Sequence, residues 1–358
     1  MKIKFRDVHL SPKNKQRLNV INSIIEEYQN QGYILTLRQL YYQLVSRDVV
    51  PNKQSEYSKL STLLKEGRMS GIVDWDAIED RLRRPSSPAS FDTPEDLLDA
   101  GIQQYQLPRM EGQKTYVEVW VEKDALSGVL SRVTRKYHIP ILVNRGYSSV
   151  SAMYDSYNRF KKAIVAGQKV VILYLGDYDP SGIDMIRDIE DRIKEFLVVN
   201  EGNIFKKQLK DIEYISFIDL YPPDQEIYFN AVKKYDKKAD QDELLRLADQ
   251  VYMNVKKNEA IVKLVSENFS IKSIALTKDQ IRQYDPPPNP AKVSDPRAKD
   301  FIEKFGDTSW EVDALKPEVL NAILTTNIKE LIDSEMYDEI VSREEADKEK
   351  LENLKQYL

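Results

Sequence analysis

The sequence predicts an α/β protein in which an N-terminal helix-turn-helix, winged-helix-like unit precedes a mostly parallel sheet and a helical C-terminal extension. Three observations predict it. Three amphipathic helical stretches crowd the N-terminal region. From Tyr116 to about Leu220, short β-branched runs alternate with amphipathic stretches, the pattern of βαβ units. Beyond that the chain is charged and mostly helical in period. At 358 residues it is long enough for two domains with cores of their own.

The elements follow in order. Ser11-Pro12 supplies an N-cap and a first-turn proline ahead of Leu18, Ile21, Ile25 and Tyr28. Thr36 and Gln39 form a capping box opening a second helix, with Leu37, Leu40, Tyr41, Leu44 and Val45 on its apolar stripe. A third helix runs from about Ser55 to Glu66, with Leu60, Leu63 and Leu64 inward and Lys59 and Lys65 outward. With the IVDW run and the basic RLRR they make a unit over 1–86 of helix-turn-helix or winged-helix type. The proline- and serine-rich stretch over 87–114 reads as a linker. A sheet domain over 115–220 carries strands at 116–122, 139–144, 169–177 and 214–220. An extension follows over 221–330, and the acidic helix over 331–358 reads as solvated or as packing in a dimer.

Composition excludes several function classes. No run approaches the ~18 apolar residues of a membrane span, and MKIKFRDVHL lacks an apolar signal stretch, so a cytoplasmic protein is expected. Zero cysteines remove disulfides, thiol nucleophiles and cysteine-based zinc sites, and His9 and His138 alone cannot build a three-histidine site. A metal would be held by carboxylates, hence a hard ion: Mg²⁺, with Mn²⁺ as the alternative. The net charge of −5 hides a division: residues 1–86 hold fifteen Lys and Arg against ten Asp and Glu, and the rest carries the deficit. Arg38, Lys53, Lys59, Lys65, Arg68, Arg81, Arg83 and Arg84 are candidates to track phosphates.

The strongest chemical signal lies at two strand ends. Glu122 closes the first βαβ strand, and Asp177 and Asp179 close the third in GDYDPSG. In open parallel sheets such ends converge on one crevice. Three converging carboxylates repel one another unless a divalent cation sits among them, and such an ion stabilises charge on a phosphodiester under attack. D-x-D-P-S-G is also good turn chemistry on its own. Pro180 and Ser181 open the next helix, with Ser181-x-x-Asp184 as a capping-box variant.

These motifs, VEVWVEKDALSGVL and ILYLGDYDPSGIDM, resemble the Toprim domain. Within that group the chain is most similar to the A subunit of topoisomerase VI and its meiotic double-strand-break relative. It matches through Val121-Glu122-Lys123-Asp124-Ala125, Arg145-Gly146-Tyr147-Ser148 and Asp177 to Asp184, with a basic helix-turn-helix unit in front. The later stretch from Ile274 to Leu320 resembles the closing segment of phage and bacterial Toprim proteins. The resemblance implies a DNA-cleaving enzyme with Glu122, Asp177 and Asp179 as Mg²⁺ ligands. It also implies a tyrosine nucleophile in Arg38-Gln39-Leu40-Tyr41-Tyr42.

Helical geometry separates the two tyrosines. Tyr41 falls on the apolar stripe, while Tyr42 shares a more exposed face with Arg38 four residues before it. Tyr42 is therefore the expected nucleophile and Tyr41 the alternative. A phenol with a reference pKa near ~10 needs help from a cation, base or metal. Arg38 can stabilise the phenolate or grip the scissile phosphate, and Lys123 and Arg145 are further phosphate candidates.

Three readings stand at this point. The first is a topoisomerase VI A-like homodimer in which Tyr42 of one chain attacks DNA at the metal site of the other. No G-x-x-x-x-G-K-[ST] loop occurs, so any ATPase would be a separate subunit. The second is a Toprim endonuclease using metal-activated water, and the third a non-catalytic DNA-binding subunit of a larger complex. A primase would want a cysteine-based zinc module, and a serine hydrolase a G-x-S-x-G; neither is present.

Overall fold

A computed structural model of the chain describes residues 1–79, 88–144, 146–199, 204–205, 209, 220, 222–235, 241–290 and 298–355. Arg81, Arg83, Arg84 and Arg145 lie outside the described residues, as does the expected strand over 214–220 except Leu220. The fold is α/β. A four-stranded sheet has the order β2-β1-β3-β4, from β1 (Thr115–Val121), β2 (Ile141–Val143), β3 (Lys169–Leu175) and β4 (Phe269–Ala275). β1 and β2 run parallel, with Val119 opposite Ile141 and Val121 opposite Val143. Among the described residues no helix is long and apolar enough to cross a membrane.

The chain divides into two compact units. One comprises 1–147, 172–187 and 271–358, the other 148–171 and 188–270. In the first, α1 (Pro12–Asn30), α2 (Leu37–Ser46) and α3 (Gln54–Met69) pack around Leu18, Ile21, Tyr28, Leu40, Leu44, Leu60 and Leu64. Their caps form as the sequence dictates. The Ser11 side chain accepts from Asn14 N, and Thr36 and Gln39 close a reciprocal capping box. α5 (Asp124–Tyr137) buries Leu126, Val129, Leu130 and Val133, the stripe expected of it, and ends on His138 in the left-handed conformation.

The segment read as a linker holds a helix, α4 (Pro94–Gln104), opened by a Thr93/Asp96 capping box and packed on the C-terminal helix. Proline here sits at the first helical turn rather than in a connector. The C-terminal helix, named α13 below, spans Ser334–Lys355 and is not wholly solvated. Its Glu344 is 1% exposed and accepts from Arg109 Nε (3.1 Å), Arg109 Nη2 (2.7 Å), Leu107 N (3.0 Å) and Lys348 Nζ (2.9 Å).

In the second unit, α6 (Val150–Val165) contributes buried Met153, Tyr157 and Phe160. α7 (Pro180–Val199) begins in the first unit and ends in the second. α8 (Pro222–Tyr235) and α9 (Gln241–Asn268) pair through Val232, Ala248 and Tyr252, with the Tyr228 and Tyr252 rings 5.3 Å apart, edge to face. Sequence reading placed no strand at β4. After it come α10 (Lys278–Tyr284), β5 (Asn289–Pro290), α11 (Ala298–Phe305), β6 (Thr308–Ser309) antiparallel to β5, and α12 (Pro317–Lys329).

Candidate active site

Two strand ends of the first unit build the site. β1 stops at Val121, so Glu122 and Lys123 are the first residues past a buried strand. The Glu122 N–H donates to Leu175 O at 2.9 Å, and the Asp177 N–H donates to Glu122 Oε2 at 2.9 Å. Gly176 leaves room for this: a Cβ there would stand 2.5 Å from the Tyr174 ring and 3.1 Å from Glu122 Oε2. Asp179 caps α7, its Oδ1 accepting from Gly182 N (2.6 Å) and Ser181 Oγ (2.9 Å), with Pro180 at the first helical position. The expected Ser181/Asp184 box is thereby corrected. Asp179 starts the helix, and Asp184 instead pairs with Arg187 and accepts from the Tyr147 hydroxyl.

A C-terminal segment completes the cluster. Tyr178 and Trp310 exchange backbone hydrogen bonds of 2.8 and 3.1 Å, and the Val312 N–H donates to Asp177 Oδ1 at 2.8 Å. This fixes Glu311 and Asp313 over the strand ends. Lys123 Nζ then lies 2.6 Å from Asp177 Oδ2, 3.0 Å from Glu311 Oε2 and 3.3 Å from Asp313 Oδ1. Arg38, from α2, reaches the same two acids: Nη2 pairs with Glu311 Oε2, and Nε lies 2.9 Å from Asp313 Oδ2. Sequence reasoning missed Glu311 and Asp313. Their one signal was a pair of acids inside the otherwise apolar run WEVDAL.

The electrostatics follow from burial. Burial raises the Glu122 carboxyl and pushes Asp177 up to about 7 against the pull of Lys123; it also raises Asp313, which has no exposed side-chain surface. Burial would discharge Lys123, but Asp313, Asp177 and Glu311 outweigh it and keep the ammonium charged. Burial also opposes ionising Glu311, yet Lys123 and Arg38 hold its carboxyl down to about 2.

The structure corrects the expected exposure of Tyr42. It is 4% exposed, and α2 buries seven successive residues from Gln39 to Val45. The short 3₁₀ turn Val312–Ala314 packs on α2, and its Ala314 joins the same core, so the face that periodicity left open is covered. Tyr42 lies under the Arg38 guanidinium, 5.9 Å from ring centroid to Cζ. Burial, with Glu311 and Asp313 nearby, raises its phenol above the usual value. Tyr41 is packed as expected. Its hydroxyl accepts from Lys53 N at 2.8 Å and lies within 3.1 Å of Asn52 Oδ1 and Lys53 O. Both tyrosines, with Arg38, Lys53, Tyr57, Asn289 and Glu311, line a cleft of about 320 Å³.

The other cations divide. Lys53 is exposed at the rim of this cleft, Lys59 is exposed and paired with Glu56 at 2.6 Å, and Lys65 is exposed. Arg68 does not present its charge to a partner. Its Nη2 donates to Trp75 O (3.1 Å) and Ile78 O (3.0 Å), and the guanidinium stacks on the Trp75 ring, so it fastens the 75–78 turn.

The acids fit a hard cation in donor type, and partly in arrangement. Among the described residues, Glu122 Oε1 and Asp179 Oδ2 make no hydrogen bond, while Asp177 spends both oxygens on Lys123 and Val312. Among the described residues no three acids or histidines gather as a ready ligand set. The three acids are nonetheless close enough that Asp179 and Asp177 act on the charge of their neighbours.

No family model, curated protein or solved structure matches this chain.

Proposed function

We propose that this chain is a metal-dependent DNA-cleaving protein, similar to the topoisomerase VI A subunit and working as a homodimer on duplex DNA. The observation that carries the reading is the single ion-pair network that joins Arg38, on the tyrosine helix, to Lys123 and Asp177 at the strand ends. It supports the reading by joining, within one chain, the helix that carries Tyr42 to the strand-end acids, so attack within the chain takes the place of the expected attack at the partner's acids. Glu122 and Asp179 would hold a Mg²⁺ ion through their unbonded oxygens, with Asp177 beside them. Such an ion stabilises negative charge on the phosphodiester as it is cut. Lys123 and Arg38 grip the phosphate. The Tyr42 oxygen forms the new bond to phosphorus, the bond to one deoxyribose oxygen breaks, and that oxygen leaves with a proton. The chain carries no nucleotide-binding fingerprint, so an ATPase, where one is needed, is a separate subunit.

A second reading has its own observation. Tyr42 is buried and its phenol is held protonated, which favours a hydrolytic endonuclease in which water attacks and α2 only holds DNA. Tyr42→Phe separates them. Cleavage by transesterification requires loss of both cutting and a denaturant-stable protein–DNA adduct in the variant. Cutting that persists in Tyr42→Phe, with no adduct in the wild type, refutes the tyrosine.

A further inference from the structure

Arg38 and Lys123, the two cations nearest the strand-end acids, come from α2 and from the end of β1. Two carboxylates bridge them, and the two differ in kind. Asp313 Oδ2 lies 2.9 Å from Arg38 Nε as an ion pair without hydrogen-bond alignment, its Oδ1 accepts from Lys123 Nζ at 3.3 Å, and no part of its side chain is exposed. Glu311 places a single oxygen, Oε2, on both Arg38 Nη2 and Lys123 Nζ. It is 24% exposed and stands at the cleft that Tyr42 lines.

One anionic oxygen shared by a guanidinium and an ammonium is how a phosphate oxygen is held. The Arg38 side chain is 42% exposed, so its outer face is open to an incoming ligand. The backbone on both sides of Glu311 is bolted down: Trp310 exchanges hydrogen bonds with Tyr178, and Val312 N–H donates to Asp177. A side-chain rotation of Glu311 can therefore clear the cations without moving its chain. Asp313, sealed inside, keeps them paired and aimed when Glu311 leaves.

We propose that Arg38 and Lys123 form a phosphodiester-binding site, that Glu311 is its internal occupant, standing in for a backbone phosphate until nucleic acid displaces it, and that Asp313 is the positioning residue that holds the two cations. The proposal rests on the reading of this chain as a DNA-binding protein. It goes beyond it by assigning the C-terminal WEVD segment a gating role: the site is self-neutralised when empty and opens only to an anion that can replace a carboxylate on both cations. No bond is made or broken in the exchange. A carboxylate leaves two cations, and a phosphate takes its place.

The test is fluorescence anisotropy of a short labelled DNA duplex, with EDTA present, across a salt series. Removing the competing carboxylate in Glu311→Gln strengthens binding by about tenfold, the scale of a changed charge at an interface rim. It also steepens the salt dependence by about one released counterion per phosphate gained. Asp313→Asn weakens binding by about tenfold with a shallower slope. Glu311→Asp, which keeps the charge and shortens its reach, falls between wild type and Glu311→Gln; it also carries the test if the glutamine variant does not fold. Glu335→Gln, an exposed acid on α13, leaves affinity and slope unchanged. Equal affinity and slope in Glu311→Gln and wild type, an equal gain in Glu335→Gln, or no binding by any variant each overturns the proposal. Failure of the cleavage reading looks different: Glu311→Gln binds more tightly, but no protein cuts DNA when Mg²⁺ is restored. If the wild type cuts while Glu311→Gln gains nothing, cleavage stands and the displacement by phosphate falls.

Discussion

Glu344→Gln probes the clasp that holds the helix ending the chain. The carboxylate is nearly sealed and takes two hydrogen bonds from Arg109, one from Leu107 N and one from Lys348. Arg109 foremost holds its carboxyl down to about 2, against an ordinary value of 4.5. At about 1.36 kcal/mol per pKa unit, that lowering corresponds to roughly 3 kcal/mol at neutral pH. The loss of one partner of a buried ion pair costs about 3–5 kcal/mol. Glutamine keeps the volume and an oxygen for Leu107, so about 2–3 kcal/mol is expected. The folded carboxyl ionises below the unfolded one. Its contribution is therefore complete above pH 4.5 and fades as pH falls through about 2. Urea unfolding followed by circular dichroism at pH 7 and at pH 3 should show the gap between wild type and variant narrowing by about 2 kcal/mol, to about 1 kcal/mol or less at the lower pH. A gap of the same size at both values, or none at pH 7, would mean that the Glu344 carboxylate does not hold the helix.

Other perturbations give sharp expectations. Leu40→Ala, at a fully buried position among α1, α2 and α3, should cost about 2–5 kcal/mol in the same unfolding assay. Thr36→Ala removes the side-chain arm of the α2 capping box, the Thr36 Oγ1 that accepts from Gln39 N, and leaves the Thr36 N–H on Gln39 Oε1; it should cost about 1 kcal/mol, lowering the midpoint without changing the slope. Gly182→Ala puts a Cβ 2.3 Å from the Asp177 carbonyl oxygen. It should cost at least about 1–3 kcal/mol and reduce DNA cutting more than DNA binding, because the Asp177–Asp179 turn must shift; unchanged melting and cutting would contradict the close approach.

The sequence carried the local rules of this fold well. Caps at Ser11 and Thr36, the stripe of α5 and the strand-turn-helix at GDYDPSG all depend on residues a few positions apart, where propensity and hydrogen-bond chemistry decide the outcome. What was not legible depends on long-range contact. Periodicity leaves Tyr42 exposed because nothing near α2 announces that Val312–Ala314, more than 250 positions away, will cover it. β4 escaped because FSIKSIA breaks strict alternation at Ser273. The same limit hid Glu311 and Asp313. Acids in a closing segment declare no role until the fold sets them against Lys123 and Arg38.

Phosphodiester cleavage at the strand-end acids is tested by incubating supercoiled plasmid with wild type, Glu122→Gln and Asp177→Asn, with Mg²⁺, with Mn²⁺ and with EDTA. Nicked or linear product is expected from the wild type only with a divalent ion, and about a hundredfold less or none from either variant. Intact plasmid under every metal, or cutting by folded Asp177→Asn at the wild-type rate, would contradict it.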